Sequence, residues 1–119
     1  MSPTQRTLKQ VRESGSTADV VERWIPMPTH PGGGYRRDLF NFIDIIELTG
    51  EGIIGIQSTS GSNFSKRVEK IKTECREAAV EWIKNGGRIQ VWGWRELKKK
   101  VDRKTWQPRI VELGLEDLT

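Results

Sequence analysis

The chain has 119 residues, enough for one modest hydrophobic core and too few for two, so a single domain over residues 1–119 is expected. Hydrophobic residues make up 34% and charged residues 30%, with a net charge of +4; no apolar run approaches the ~20 residues that span a bilayer, and Met1-Ser2-Pro3-Thr4 lacks the basic-then-apolar start of a secretory leader, so a cytoplasmic protein without a membrane partner is expected. Cys75 and His30 are the only residues of their types, which excludes an internal disulfide and a Cys/His zinc cluster and leaves carboxylates with a metal as the more natural route to chemistry.

Thr4–Ser14 reads as a short helix, with Leu8 and Val11 on one face and Gly15 as its stop. Ala18–Ile25 has β character from Val20, Val21 and Trp24. Pro26–Arg37, with its prolines and triple glycine, reads as a loop that contains His30. Leu39–Leu48 is nearly all apolar and is expected to be a central strand buried on both faces. The connection Thr49-Gly50-Glu51-Gly52 joins it in a hairpin to a strand over Ile53–Ser60.

Asn63–Asn85 is the clearest helix: Phe64, Val68, Ile71, Cys75, Ala78 and Trp82 recur at helical spacing as one apolar stripe, Ser62 can cap it, and Gly86-Gly87 ends it. Arg88–Arg95 is a strand whose Trp92 and Trp94 either fill the core or stack on bases. Residues 98–104 form a charged turn, and Trp106–Leu113 a last strand that Pro108 assigns to a sheet edge. The order α-β-β-β-α-β-β implies a mixed sheet with a parallel pairing made through the helical crossover.

The chemistry concentrates where polar residues interrupt apolar strands. Asp44 lies inside Phe42-Ile43-Asp44-Ile45-Ile46, and a buried carboxylate must be paired, protonated or metal-bound. On the next strand Gln57 and Thr59 share a face, which Gly55 leaves open. The hairpin brings Asp44 close to Gln57, either as a buried hydrogen-bonded pair or as oxygen ligands suited to Mg²⁺. Glu22, beside Val20 and Trp24, is a candidate further carboxylate, and Glu47 alternates to the opposite face from Asp44. Basic residues are unevenly placed, with six Lys/Arg against two Asp/Glu over Arg95–Lys104. Lys66, Arg67 and Lys70 lie at the start of the long helix, either as solvated charges with Lys70 paired to Glu74 or as phosphate contacts. Arg36 and Arg37 precede the Asp44 strand, where they could grip backbone phosphates.

Three segments, Arg36-Arg37-Asp38-Leu39-Phe40, Phe42-Ile43-Asp44-Ile45 and Gly55-Ile56-Gln57-Ser58-Thr59-Ser60, together with the order of elements around them, resemble the PD-(D/E)XK nuclease superfamily. Within it the chain is similar, over about residues 4–95, to small phage and archaeal nucleases related to Holliday-junction resolvases and VRR-NUC domains. The resemblance implies a restriction-endonuclease-like core and a DNA endonuclease that uses Mg²⁺ or Mn²⁺, acts on branched or structured DNA and works as a homodimer. It implies Asp44 as the metal-binding aspartate. Gln57 stands at the Asp/Glu position, with a neutral oxygen for the metal, and Thr59 stands at the lysine position, so that Lys66 or a neighbour has to supply the missing cation. Ile89–Trp94 or Trp106–Leu113 could supply a dimer contact. The alternatives are a nucleic-acid-binding module that kept the fold without catalysis, and a structural protein with a buried Asp44–Gln57 pair.

Overall fold

The computed structural model describes residues 1–98 and 104–119, so most of the charged turn expected at 98–104 lies outside the described residues. Helix α1 (Pro3–Glu13) starts on Ser2, whose Oγ accepts from the Gln5 N–H, and Pro3 occupies a first-turn site where its missing N–H costs nothing. There follow β1 (Thr17–Val20), β2 (Arg23–Pro26), β3 (Gly34–Arg37), β4 (Ile45–Thr49), β5 (Gly52–Ser60), α2 (Phe64–Lys72), α3 (Arg76–Lys84), β6 (Gly87–Lys98), β7 (Lys104–Leu113) and α4 (Leu115–Leu118). Five strands form a mixed sheet in the order β1-β4-β5-β6-β7; β5 and β6 are parallel through the α2–α3 crossover and the other neighbours are antiparallel.

The sheet separates two cores, as period-two alternation requires. On one face α1 packs Leu8 and Val11 against Ile45, Ile54, Ile56, Trp92 and Trp94. Thr7, fully buried, ties this face together: its Oγ1 donates to the Pro3 carbonyl and accepts from Ser58 Oγ and from Trp94 Nε1. On the other face Phe64, Ile71, Cys75 and Ala79 meet Ile43, Ile89 and Val91. Trp92 and Trp94 are thus core residues, and β6, flanked by β5 and β7, is interior. Of the two strands considered for a dimer contact, only β7 is an outer strand.

Several local expectations are corrected. Ala18–Ile25 is not one strand: the chain leaves the sheet after the Val21 N–H donates to the Asp44 carbonyl, and β2 then pairs with β3 in a separate two-stranded ribbon. The supposed loop therefore contains a strand. Leu39–Leu48 is not one strand either, because Phe40 and Asn41 adopt positive φ (53° and 65°) and make a tight turn before β4 begins. The long helix breaks at Thr73–Cys75; Thr73 Oγ1 donates back to the Glu69 carbonyl, a bond that competes with helix continuation. Asn63, not Ser62, precedes α2, and Ser62 instead hydrogen-bonds Ser60. Gly55 does not leave its face open: Ile43 and Trp82 fill the space a side chain there would need. Among the described residues no helix is long and apolar enough to cross a membrane.

Candidate metal centre and basic cleft

Asp44 stands at the entrance to β4, where its backbone N–H donates to Ile56 O. The β4–β5 register, Ile45 opposite Ile56, carries Asp44 toward Gln57. Gln57 Nε2 donates to Asp44 Oδ2 at 2.8 Å, and the Ser58 N–H donates to the same oxygen at 2.7 Å. The amide thus presents its nitrogen to Asp44, while its buried Oε1 has no partner among the described residues.

Asp38 is the residue that reading the sequence for ligands missed. Leu39 and Ile43 exchange backbone bonds at 2.9 Å across the Phe40–Asn41 turn, which sets Asp38 beside Asp44. Gln57 Nε2 reaches Asp38 Oδ2 at 3.4 Å as well. The available signal was Asn41, a residue that tolerates left-handed backbone and so marks a turn inside an apparently continuous strand.

Glu22 comes from the break between β1 and β2. Its side chain is only 15% exposed, and Arg36 Nη1 donates to its Oε1 at 3.1 Å. One oxygen each from Glu22, Asp38 and Asp44 lie within 4.8 Å of one another. Burial pushes the Asp44 carboxyl up to about 9, helped by the hydrogen bond and negative charge of Asp38 and by Glu22, against the opposing Ser58 N–H. In the absence of a cation Asp44 therefore holds a proton at neutral pH. Three converging carboxylates form a hard, all-oxygen donor set of the kind that Mg²⁺ or Mn²⁺ takes, while the Gln57 amide as it stands turns its nitrogen to them. The acidic cluster could hold a divalent metal.

Asp38 opens onto a cleft of about 620 Å³ that Tyr35, Arg36, Arg37, Arg67 and Lys70 also line. Strand β3 contributes the two arginines and α2 contributes Arg67 and Lys70. Lys70 Nζ donates to Asn41 O at 2.8 Å, so it is tied to the turn and does not pair with Glu74, which lies beyond the end of α2. Lys66 is exposed and does not line the cleft. Thr59 is buried, opposite Gly93 in the β5–β6 ladder, and no hydrogen bond of the carboxylate cluster runs to it. Glu47 faces the α1 side, paired with Ala18 and Ile54, away from Asp44. Cys75 borders the cleft floor, where burial raises its thiol above the ordinary range.

Comparison with protein-family models, with curated proteins and with solved structures returns no match to this chain.

Proposed function

We propose that the chain is a metal-dependent nuclease, a phosphodiester hydrolase acting on DNA. The observation that carries this reading is the convergence of Glu22 and the buried Asp44 on Asp38, which itself lines a cleft that Arg36, Arg37, Arg67 and Lys70 share with Glu74. The topology supports it in part: a helix, the antiparallel neighbours β1, β4 and β5, a helical crossover and a parallel strand are compatible with the order that the resemblance to PD-(D/E)XK nucleases implies, with the β2–β3 ribbon inserted between β1 and β4.

Glu22, Asp38 and Asp44 would hold Mg²⁺ or Mn²⁺, which supplies Lewis-acid polarisation and an activated water. Asp44 releases its proton when positive charge replaces it. Gln57 can turn its amide over and offer the unpartnered Oε1 as a neutral ligand. Arg36 and Arg37 on β3 grip the strand by its phosphates. Arg67 and Lys70, on α2, stabilise charge developing on the phosphoryl oxygens and so stand in for the lysine that Thr59 replaces. Lys66, outside the cleft, is a weaker candidate for that role than its neighbours.

The test is cleavage of linear, flapped and four-way DNA in Mg²⁺ and in Mn²⁺, run beside Asp38→Asn and Asp44→Asn. Metal-dependent cleavage that falls at least ~100-fold in both variants is expected, since each removes a charged ligand. DNA binding without cleavage in either metal would establish the binding module instead, the reading that Thr59 at the lysine position favours.

A further inference from the structure

A second pocket of about 300 Å³ lies behind Arg37, bounded by Val21, Arg23, Leu39 and Phe40, and it shares Arg37 and Asp38 with the main cleft. We propose that this pocket receives an unpaired nucleobase, so that the preferred substrate has single-stranded character next to the phosphate at the carboxylates. The inference rests on the nucleic-acid reading above and adds a substrate class to it.

Phe40 is the residue that points there. The residue is 52% exposed and its φ is +53°, so two unfavourable features coincide at one position. Glycine would relieve the backbone and remove the exposed apolar area, and the turn itself has no use for a phenyl ring. That ring is held edge-on by Trp82, with centroids 6.4 Å apart, which fixes it at the pocket rim. Arg23 and Arg37, cross-strand partners on the β2–β3 ribbon, line the same pocket. Guanidinium planes stack on bases and donate to their edges, and the Asp38 carboxylate can accept from an exocyclic amine. Val21 and Leu39 supply apolar walls.

Because Arg37 and Asp38 border both cavities, a phosphate in the main cleft and a base in this pocket can belong to the same nucleotide or to adjacent ones. A base within a duplex has both faces covered by its neighbours. Only an unpaired base offers a free π-face to Phe40.

The experiment measures binding in EDTA, so that cleavage does not intervene, of an oligonucleotide carrying 2-aminopurine, single-stranded or annealed to its complement. Binding to the single strand is expected to be about tenfold tighter, with quenching of the 2-aminopurine emission on stacking. Phe40→Gly should abolish the preference and the quenching while keeping duplex affinity and an unchanged or higher Tm; Phe40→Trp should restore both. Equal affinity for the two forms, or a preference that survives Phe40→Gly, overturns the pocket assignment. Metal-dependent cleavage without strand preference overturns the pocket and leaves the hydrolase standing. Phe40-dependent preference without cleavage supports the pocket and removes the hydrolase, and no binding to either form overturns both.

Discussion

Asp38 and Asp44 stand side by side because the residues just inside them, Leu39 and Ile43, pair across the turn that Phe40 and Asn41 make with positive φ. Two adjacent carboxylates repel, and two non-glycine residues at positive φ each cost on the order of 1 kcal/mol. The fold meets the first cost with a proton on Asp44 and with the Gln57 Nε2 that reaches both groups. The Lys70 bond to Asn41 O helps to hold the turn itself.

The turn is therefore sensitive to residue shape at position 41. Asn41→Val places a β-branched side chain at a φ of +65° and is expected to cost ~1–2 kcal/mol, visible as a Tm lowered by several degrees. Asn41→Gly should hold or raise the Tm. Mn²⁺ affinity, read by calorimetry, should fall in the valine variant, because Asp38 loses its place beside Asp44, and stay near wild type in the glycine variant.

The Asp44 proton makes stability fall with rising pH. A carboxyl pushed up to about 9 in the folded state, against 3.8 for the ordinary group, stays protonated while its unfolded counterpart ionises. Its contribution is complete below about 4 and is lost as the pH climbs toward about 9. In EDTA the Tm should therefore drop from pH 5 to pH 8, and Asp44→Asn, which cannot ionise, should flatten the slope. Saturating Mn²⁺ should raise the wild-type Tm more at pH 8 than at pH 5, because binding must displace the proton. A wild-type slope equal to that of Asp44→Asn would refute the assignment.

The hairpin into β5 and the helical crossover to a parallel strand were legible because they rest on periodicity. The alternation in Ile53–Ser60 and the stripe from Phe64 to Trp82 are local patterns, and Pro108 marked its strand as outermost. What escaped was non-local. The stripe could not show the helix break, since Cys75 sits on the same face whether or not the backbone bends at Thr73. The apolar run Leu39–Leu48 concealed the Phe40–Asn41 turn, because residues packed around a tight turn are as apolar as those of a buried strand. With that turn hidden, Asp38 read as a residue before a strand, remote from Asp44. In the sequence Glu22 stands out for its apolar neighbours on a continuous strand; in the fold it reaches the carboxylates because that strand breaks beside it.

Cleft cations should register in the salt dependence of DNA binding. Arg36, Arg37, Arg67 and Lys70 line one cleft, and each of them that grips a phosphate should contribute roughly 0.7–0.9 to the slope of log K against log salt. Single alanine variants, titrated by fluorescence anisotropy across a salt series, should each show a slope smaller by this amount. Lys66→Ala, an exposed position outside the cleft, should change the slope less. Equal drops for Lys66 and Arg67 would place the DNA on the helix surface and not in the cleft.

Gly55 links the core to the carboxylates through Ile43. A Cβ at position 55 would lie 2.7 Å from Ile43 Cδ1 and 3.2 Å from Trp82 Cζ2, and both neighbours are packed against the α2–α3 face of the sheet. Ile43 is fully buried, and it immediately precedes Asp44. Gly55→Val is therefore expected to cost ~1–3 kcal/mol by overpacking, measured by urea denaturation. Because the displaced Ile43 pairs with Leu39, the same substitution should also weaken Mn²⁺ binding. Gly50→Ala is the matched control: nothing lies within 4 Å of its added Cβ, so stability should change by less than ~1 kcal/mol and metal affinity should not change. A harmless Gly55→Val would mean that Ile43 can shift freely and that Asp44 is not held by the packing beneath it.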